Sequence, residues 1–213
     1  MEISNKDAAI VVNNIIHSIK ENREYLSEID GAIGDGDHGI NMSKGFSMAE
    51  EILSNEEFNM SDGFLTISQV LMNKIGGSMG PLYGSFFRGL SMASKKSDII
   101  DKNVINNMLK KALANLQNIS NAKVGDKTLI DVLVPAVNAY STAIEEEKDL
   151  ITALNSLIIA AKDGLESTKN LVASIGRASR LGDRSLGHQD AGATSCFIIL
   201  KSFCESFIYL IQG

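Results

Sequence analysis

The sequence has little of what marks a β-sandwich, a disulfide scaffold or a membrane span. It contains no tryptophan, two prolines and only 6% aromatic residues, a composition that fits a helical bundle better than a sandwich. Cysteine occurs twice, as Cys196 and Cys204, within one segment of helical pattern. Eight helical residues rise ~12 Å, too far for a disulfide, so both are expected as buried core thiols. No apolar run approaches the ~20 residues that span a bilayer. The N-terminal MEISNKDAAIVV lacks the basic region, apolar run and small-residue cleavage site of a leader. A cytoplasmic protein with no membrane partner is expected. Basic residues are the minority, 20 Lys and Arg against 26 Asp and Glu, for a net charge of -6. With no basic stripe, non-specific nucleic-acid binding is excluded as a function. Disorder is excluded too, because 44% of the chain is hydrophobic. A length of 213 residues supports one good core and one domain over 1–213.

Apolar residues recur at helical spacing along nearly the whole chain. Eight stripes are legible: Ala8 to Ile19, Met42 to Leu53, Phe64 to Ile75, Pro81 to Ala93, Val104 to Ile119, Leu129 to Tyr140, Leu154 to Leu165 and Ala193 to Ile211. Pro81 suits a first helical position, and Pro135 falls inside the sixth stripe, where a kink is expected. No segment of similar length alternates like a strand. The fold class is therefore all-α.

The connections are of two kinds. SNEEFNMSDG, SKKSDIID and IEEEKD are short and charged. DGAIGDGDHG, GGSMG, NAKVGDK and GRASRLGDRSLGHQDAG hold 12 of the 18 glycines. Sequential helices with short connections pack antiparallel. The two kinds must then alternate between the ends of the bundle, and all four glycine-rich loops converge on one site.

Each of these loops has its own chemistry. The first carries Asp30, Asp35 and Asp37, followed by His38. Three carboxylates so close repel one another unless a cation intervenes, and hard oxygen ligands suit Mg²⁺ or Ca²⁺. The plain alternative is an acidic turn in which Asp37 caps the next helix. An EF-hand fails, because Ile40 stands where a loop starting at Asp35 requires glycine. Gly76-Gly77-Ser78-Met79-Gly80 leads into a helix, an end that binds phosphate through free N–H groups and the helix dipole. In the third loop Lys127 either meets phosphate or is solvated. GDKT is not a P-loop, since no glycine directly precedes the lysine. The fourth loop brings Arg177, Arg180, Arg184 and His188 ahead of Asp190, and arginines beside an acidic metal loop suit a polyphosphate. His17, in the first stripe, reads as structural. Together these groups describe a metal–nucleotide site for phosphoryl transfer.

The motifs DGDHGIN (35–41), GPLYG (80–84), GDKT (125–128) and GRAS…LG…RS.GHQD.GATS (176–195) resemble the L, or nucleotide-binding, subunit of dihydroxyacetone kinases in order and spacing across the whole chain. The resemblance implies an eight-helix antiparallel up-and-down barrel with the nucleotide in the loops at one end. It implies that Asp30, Asp35 and Asp37 hold two Mg²⁺ ions. By the same resemblance His38, Gly39, Ile40 and Asn41 reach the nucleotide, and Gly77, Ser78 and Met79 make a second phosphate contact. Leu129 packs near adenine, Arg177 contacts the nucleotide and stabilises transferring charge, and Asp190, Ala191 and Gly192 close the site.

In the phosphotransferase-system type, ADP is a bound coenzyme, transiently ATP. A phosphohistidine protein is the donor, and dihydroxyacetone is held by a separate K subunit. In the ATP-dependent type nucleotide exchanges each cycle. No side chain is required as a covalent nucleophile. Other family readings are a kinase for another small hydroxylated substrate and an ADP-loaded regulator of a transcription factor. The family's fatty-acid enzymes carry further C-terminal domains, and this sequence ends at the eighth stripe. It departs from the family at GGSMG, where GGASG or GGTSG is usual, at Ala191 in place of proline, and at Arg180 in place of tyrosine.

Overall fold

The computed structural model describes residues 2–213; Met1, the first residue of the expected domain, lies outside them. The described residues form nine α-helices: α1 (Ala9–Glu21), α2 (Arg23–Ile33), α3 (His38–Leu53), α4 (Met60–Lys74), α5 (Met79–Ser94), α6 (Lys102–Gln117), α7 (Ile130–Glu145), α8 (Leu150–Ser167) and α9 (Ala191–Gln212). Two 3-10 segments, Thr168–Asn170 and Ala178–Ser185, lie between α8 and α9. Each helix packs on its neighbours in sequence, and α9 returns to α1 and closes the ring. Helices α1 and α2 meet end to end at Asn22, and both pack on α3 and α9. They make one stave, so nine helices build the expected eight-membered antiparallel barrel.

The stave is the main departure from the sequence reading. DGAIGDGDHG was expected to be loop throughout, but α2 runs to Ile33 and leaves only residues 34–37 outside helix. Leu26 and Ile33 are buried and supply the apolar face that holds α2 in place. That stripe is too short and too polar to stand out from the sequence. Pro81 is not the first residue of its helix, because α5 starts at Met79. It still falls in the first turn, where an amide hydrogen has no helical partner. Helix α7 continues through Pro135. Proline leaves the Asp131 carbonyl without its helical donor, and α8 packs against that spot: a Cβ on Gly164 would lie 2.3 Å from the Asp131 oxygen.

The interior is filled by Phe46, Phe64, Phe86, Phe87, Phe203 and Phe207 from α3, α4, α5 and α9. Their ring centroids lie 4.9 to 6.4 Å apart. Contrary to the expectation from apolar runs, α9 is long and apolar enough to pass for a membrane span by length and composition. It earns its hydrophobicity as a barrel stave, with Ile199, Leu200, Phe203 and Phe207 in the core. Cys196 and Cys204 are free and buried, as expected. His17 is on the surface beside Glu21, 3.0 Å away, and is not a core residue.

The ends of the barrel separate as the loop composition implied. At the charged end, Ser4 pairs with Ile99, Asn5 donates to the Ser97 carbonyl at 3.0 Å, and Lys102 donates to the Lys148 carbonyl at 3.1 Å. Of the helices that begin there, α4, α6 and α8 are capped by side chains. Asn59 accepts from the Asp62 amide, Asp101 from Asn103 and Val104, and Asp149 from Thr152, at 2.8 to 3.0 Å. The helices α3, α5 and α7 begin at the other end, and Asp37, Ser78 and Leu129 at their N-caps give no such side-chain bond.

Candidate functional site

Asp30 lies in the last turn of α2, while Asp35 and Asp37 lie in the turn that follows. A carboxylate oxygen from each falls within 4.8 Å of the others. Asp37 does not cap α3, so the alternative of a simple capping turn is set aside. Gly36, at φ +76°, makes the reversal between Asp35 and Asp37. The first amide of α3, from His38, donates to Asp30 Oδ2 at 3.2 Å. Arg177 reaches across from the long α8–α9 loop and forms an ion pair with Asp35. The first and fourth loops are thus in contact. Arg180 and Arg184 form no ion pair among the described residues, so one arginine rather than three meets the triad.

His38 turns inward. Its Nε2 lies 2.8 Å from Ser195 Oγ on α9, and Tyr83 on α5 lies 2.6 Å from the same hydroxyl. The Tyr83 hydroxyl also donates to the Gly192 carbonyl at 2.9 Å. This chain of polar groups ties together the N-terminal turns of α3, α5 and α9. Burial lowers the His38 pKa to about 4, against the opposing pull of Asp30, so its imidazole is neutral at pH 7. Burial also raises the Tyr83 hydroxyl. His38 is therefore not a cationic phosphate ligand. The rest of the stretch divides by role. Gly39 is buried against α2, where a Cβ would overlap the Arg23 carbonyl oxygen, so only its backbone is available to a ligand. Ile40 is exposed and Asn41 half-buried.

In the second loop Gly77 has φ +70°, and the space beside it is open. Ser78 stands at the N-cap of α5 without capping it, followed by Met79. The amides of this first turn have no intrahelical partner and face the glycine-rich end. Leu129 is buried ahead of α7, and a Cβ on Gly192 would lie 3.9 Å from its Cβ. The third and fourth loops therefore meet where the resemblance placed adenine. Asp190 caps α9 by accepting from the Ala193 amide at 2.7 Å. Burial raises its pKa to about 7; the Ala193 amide opposes this, Asp131 adds to it, and Lys127 opposes it. Ala191 is the buried first residue of α9.

The structure overturns the expectations for Lys127. It is neither solvated nor free for phosphate. The residue is 1% exposed, and its ammonium donates to the carbonyls of Thr168, Leu171, Ser185 and His188 at 2.6 to 3.1 Å. Its backbone is left-handed, at φ +62°. Asp131, also buried, shapes this turn by accepting from the Gly125 and Thr128 amides at 2.6 and 2.7 Å. Asp131, Tyr83 and Ser195 were not singled out from the sequence. The only signal for them was their place in or next to the motifs.

One end of the barrel thus combines clustered carboxylates, helix N-termini and an arginine. A protein-family model for the DAK2 domain matches residues 32–205. The chain belongs to the DAK2 family. It is 36% identical over 196 residues to the PEP-dependent dihydroxyacetone kinase 1, ADP-binding subunit DhaL, of Listeria innocua, covering 92% of this chain and 93% of that one. It is 35% identical over 180 residues to the PEP-dependent dihydroxyacetone kinase, ADP-binding subunit DhaL, of Escherichia coli, covering 84% and 85%. The crystal structure of the C. freundii dihydroxyacetone kinase in complex with AMP-PNP and Mg²⁺ superposes with a TM-score of 0.70 at 24% identity. That match covers 97% of this DAK2 chain and 35% of the other, and it establishes the shared fold. The chain spans about a third of that larger protein.

Proposed function

We propose that this DAK2-family chain is the nucleotide-binding subunit of a dihydroxyacetone kinase, acting as one domain over 1–213 with ADP as coenzyme. One observation carries the reading: the N-cap residues of α3, α5 and α7 give no side-chain bond to their helices at the end where the Asp30–Asp35–Asp37 triad meets Arg177. Helix N-termini attract anions, and clustered carboxylates attract cations. A magnesium-bound polyphosphate is the ligand that satisfies both. The triad would hold two Mg²⁺ ions, which when bound supply charge neutralisation along the phosphates.

Around that ligand the chain's own groups have distinct tasks. Gly77, Ser78 and Met79 offer backbone donors to one phosphate, and the His38–Asn41 turn offers donors to another. Leu129 and Gly192 give adenine an apolar wall, with Ala191 and Asp190 at its edge. Arg177 moves from Asp35 to the phosphate oxygens and offsets the charge that spreads over the transferring group. No side chain needs to be phosphorylated. The phosphoryl group comes from a phosphohistidine donor and ends on a hydroxyl of dihydroxyacetone held by a K-type partner. That route is supported by the names of the two PEP-dependent relatives.

A second reading is exchange of ATP for ADP in each cycle. It draws on Ala191, which leaves the start of α9 without the stiffness of the family's proline. The regulator and other-acceptor readings have no comparable observation behind them.

The test is thermal melting with Mg²⁺ alone, ADP alone and both. The pair is expected to stabilise the fold by ~2.7 kcal/mol at about 100 times the dissociation constant. Equal melting temperatures in all three would remove the site. Protein purified without added nucleotide, then denatured and run over an ion-exchange column, is expected to release ADP. Sustained turnover on ATP with a K-type subunit would favour exchange.

A further inference from the structure

The long α8–α9 loop presents a physical puzzle. Between Leu171 and Gln189 only Ala173 and Ser185 are buried, while Val172, Ile175 and Leu186 are at least 40% exposed. A segment with almost no apolar anchor does not hold a fixed position through the hydrophobic effect. Yet it places Arg177 against Asp35 on another loop.

What holds it is polar and centred on one atom. The Lys127 ammonium accepts no bonds and has three protons to give. It shares them among four carbonyls, Thr168 and Leu171 on the inbound arm of the loop and Ser185 and His188 on the outbound arm, at 2.8, 3.1, 2.6 and 2.6 Å. The arms are stitched to each other as well. The Gly187 amide donates to the Lys169 carbonyl at 2.8 Å, and the Ala173 amide donates to Ser185 Oγ at 2.9 Å. Asp126, next to Lys127, accepts from Ser174 Oγ at 2.6 Å. The left-handed backbone at Lys127 and the two amides held by Asp131 aim the side chain into this ring of carbonyls. A non-glycine residue in that conformation is uncommon, and such strain persists where the surroundings fix it.

We propose that Lys127 is a positioning residue that pins both arms of the arginine-bearing loop and thereby sets how long nucleotide stays in the site. It touches neither the triad nor the phosphate-binding turns. It acts by keeping Arg177 over Asp35, where this loop meets the acidic turn. This rests on the nucleotide reading above for its consequence, but the clamp itself is a property of the ligand-free protein.

The experiment compares wild type, Lys127→Met and Lys127→Arg. In nucleotide-free protein the loop carries its own reporters, since trypsin cleaves after Arg177, Arg180 and Arg184. Lys127→Met is expected to keep its helical circular dichroism and to be cut in this loop at least about tenfold faster. Release of a fluorescent ADP analogue with Mg²⁺ is expected to speed up by a similar factor. Lys127→Arg keeps the charge but cannot point one compact ammonium at four carbonyls, and it should recover only part of each effect. Loop cleavage and analogue release both unchanged in Lys127→Met would overturn the proposal. Faster cleavage with unchanged release would overturn the role in retention. If wild type binds no analogue, the nucleotide reading fails, while the cleavage comparison still decides the clamp. If Lys127→Met does not fold, hydrogen exchange on wild type decides: the Ala173 and Gly187 amides are expected to be protected without nucleotide, and rapid exchange at both would overturn the clamp.

Discussion

Two half-buried groups at this site have pKa values shifted in opposite senses, with opposite effects on stability, and the balance between them can be measured. His38 takes a proton at 6.5 in the unfolded chain but only at about 4 in the native one, because burial disfavours the imidazolium. Between those values the unfolded state binds more protons, so stability rises with pH. Asp190 does the reverse. Its carboxyl keeps its proton up to about 7 in the native protein and loses it near 3.8 when unfolded, so stability falls as pH rises through this range. At about 1.4 kcal/mol per pH unit of difference, His38 contributes about 3 kcal/mol and Asp190 about 4, with opposite sign. In metal-free, nucleotide-free wild type the two slopes nearly cancel between pH 4 and 6.5. His38→Gln removes the rising slope and keeps a neutral group beside Ser195. Asp190→Asn removes the falling slope and keeps a good helix cap. Urea denaturation at constant ionic strength in EDTA should show His38→Gln losing stability relative to wild type as pH rises. Asp190→Asn should gain it, each by a few kcal/mol across the window. Other carboxylates add a background common to all three proteins, so the differences carry the test. Three parallel curves would refute the desolvation of both groups.

Two further outcomes follow from the site. Asp35→Ala should abolish the extra stabilisation given by Mg²⁺ with ADP while leaving helicity intact, and Glu146→Ala at the charged end should leave it unchanged; thermal melts of both variants check this. Ala191→Pro should stabilise the protein by roughly 0.4–1 kcal/mol. Position 191 is the first residue of α9, where proline is favoured, and Asp190 before it already has the extended backbone that proline requires, φ −83° and ψ 133°. A rise of about 1–4 °C in melting temperature is expected, and a fall would show that the Ala191 amide has a native role.

The antiparallel bundle was legible because helical periodicity reports a buried stripe directly, and because loop composition alternates with the direction of the chain; its closure into a barrel was implied only by the family resemblance. The convergence of Asp30, Asp35, Asp37 and Arg177 follows from that alternation. What escaped was set by tertiary contact. Helix α2 buries only Leu26 and Ile33, and its remaining length is stabilised by docking on α3 and α9. Lys127 looked solvated because a lysine in a polar turn usually is. Only the return of the α8–α9 loop, 41 to 61 positions away in sequence, supplies the carbonyls that accept its protons. The inward turn of His38 likewise depends on Ser195, 157 positions away, and no local pattern announces it.

The pairing of Arg177 with Asp35 has a consequence that separates the metal from the nucleotide. Three carboxylates held within 4.8 Å repel one another, and in the ligand-free protein the guanidinium of Arg177 relieves part of that repulsion. A cation entering alone competes with the arginine for Asp35. A cation entering with a polyphosphate does not, because the phosphate oxygens give Arg177 a new partner. Removing the guanidinium should therefore move two affinities in opposite directions. In Arg177→Gln, Mg²⁺ alone should bind more tightly. The increase is bounded by the worth of a solvent-exposed ion pair, about 0.2–1 kcal/mol, or at most about fivefold. Mg²⁺ with ADP should bind more weakly, because a charge-assisted contact to phosphate is lost. Calorimetric titration of each ligand into wild type and variant measures both. If the two affinities fall together, Arg177 supports the triad rather than competing with its cation. If neither changes, the ion pair with Asp35 has no part in binding.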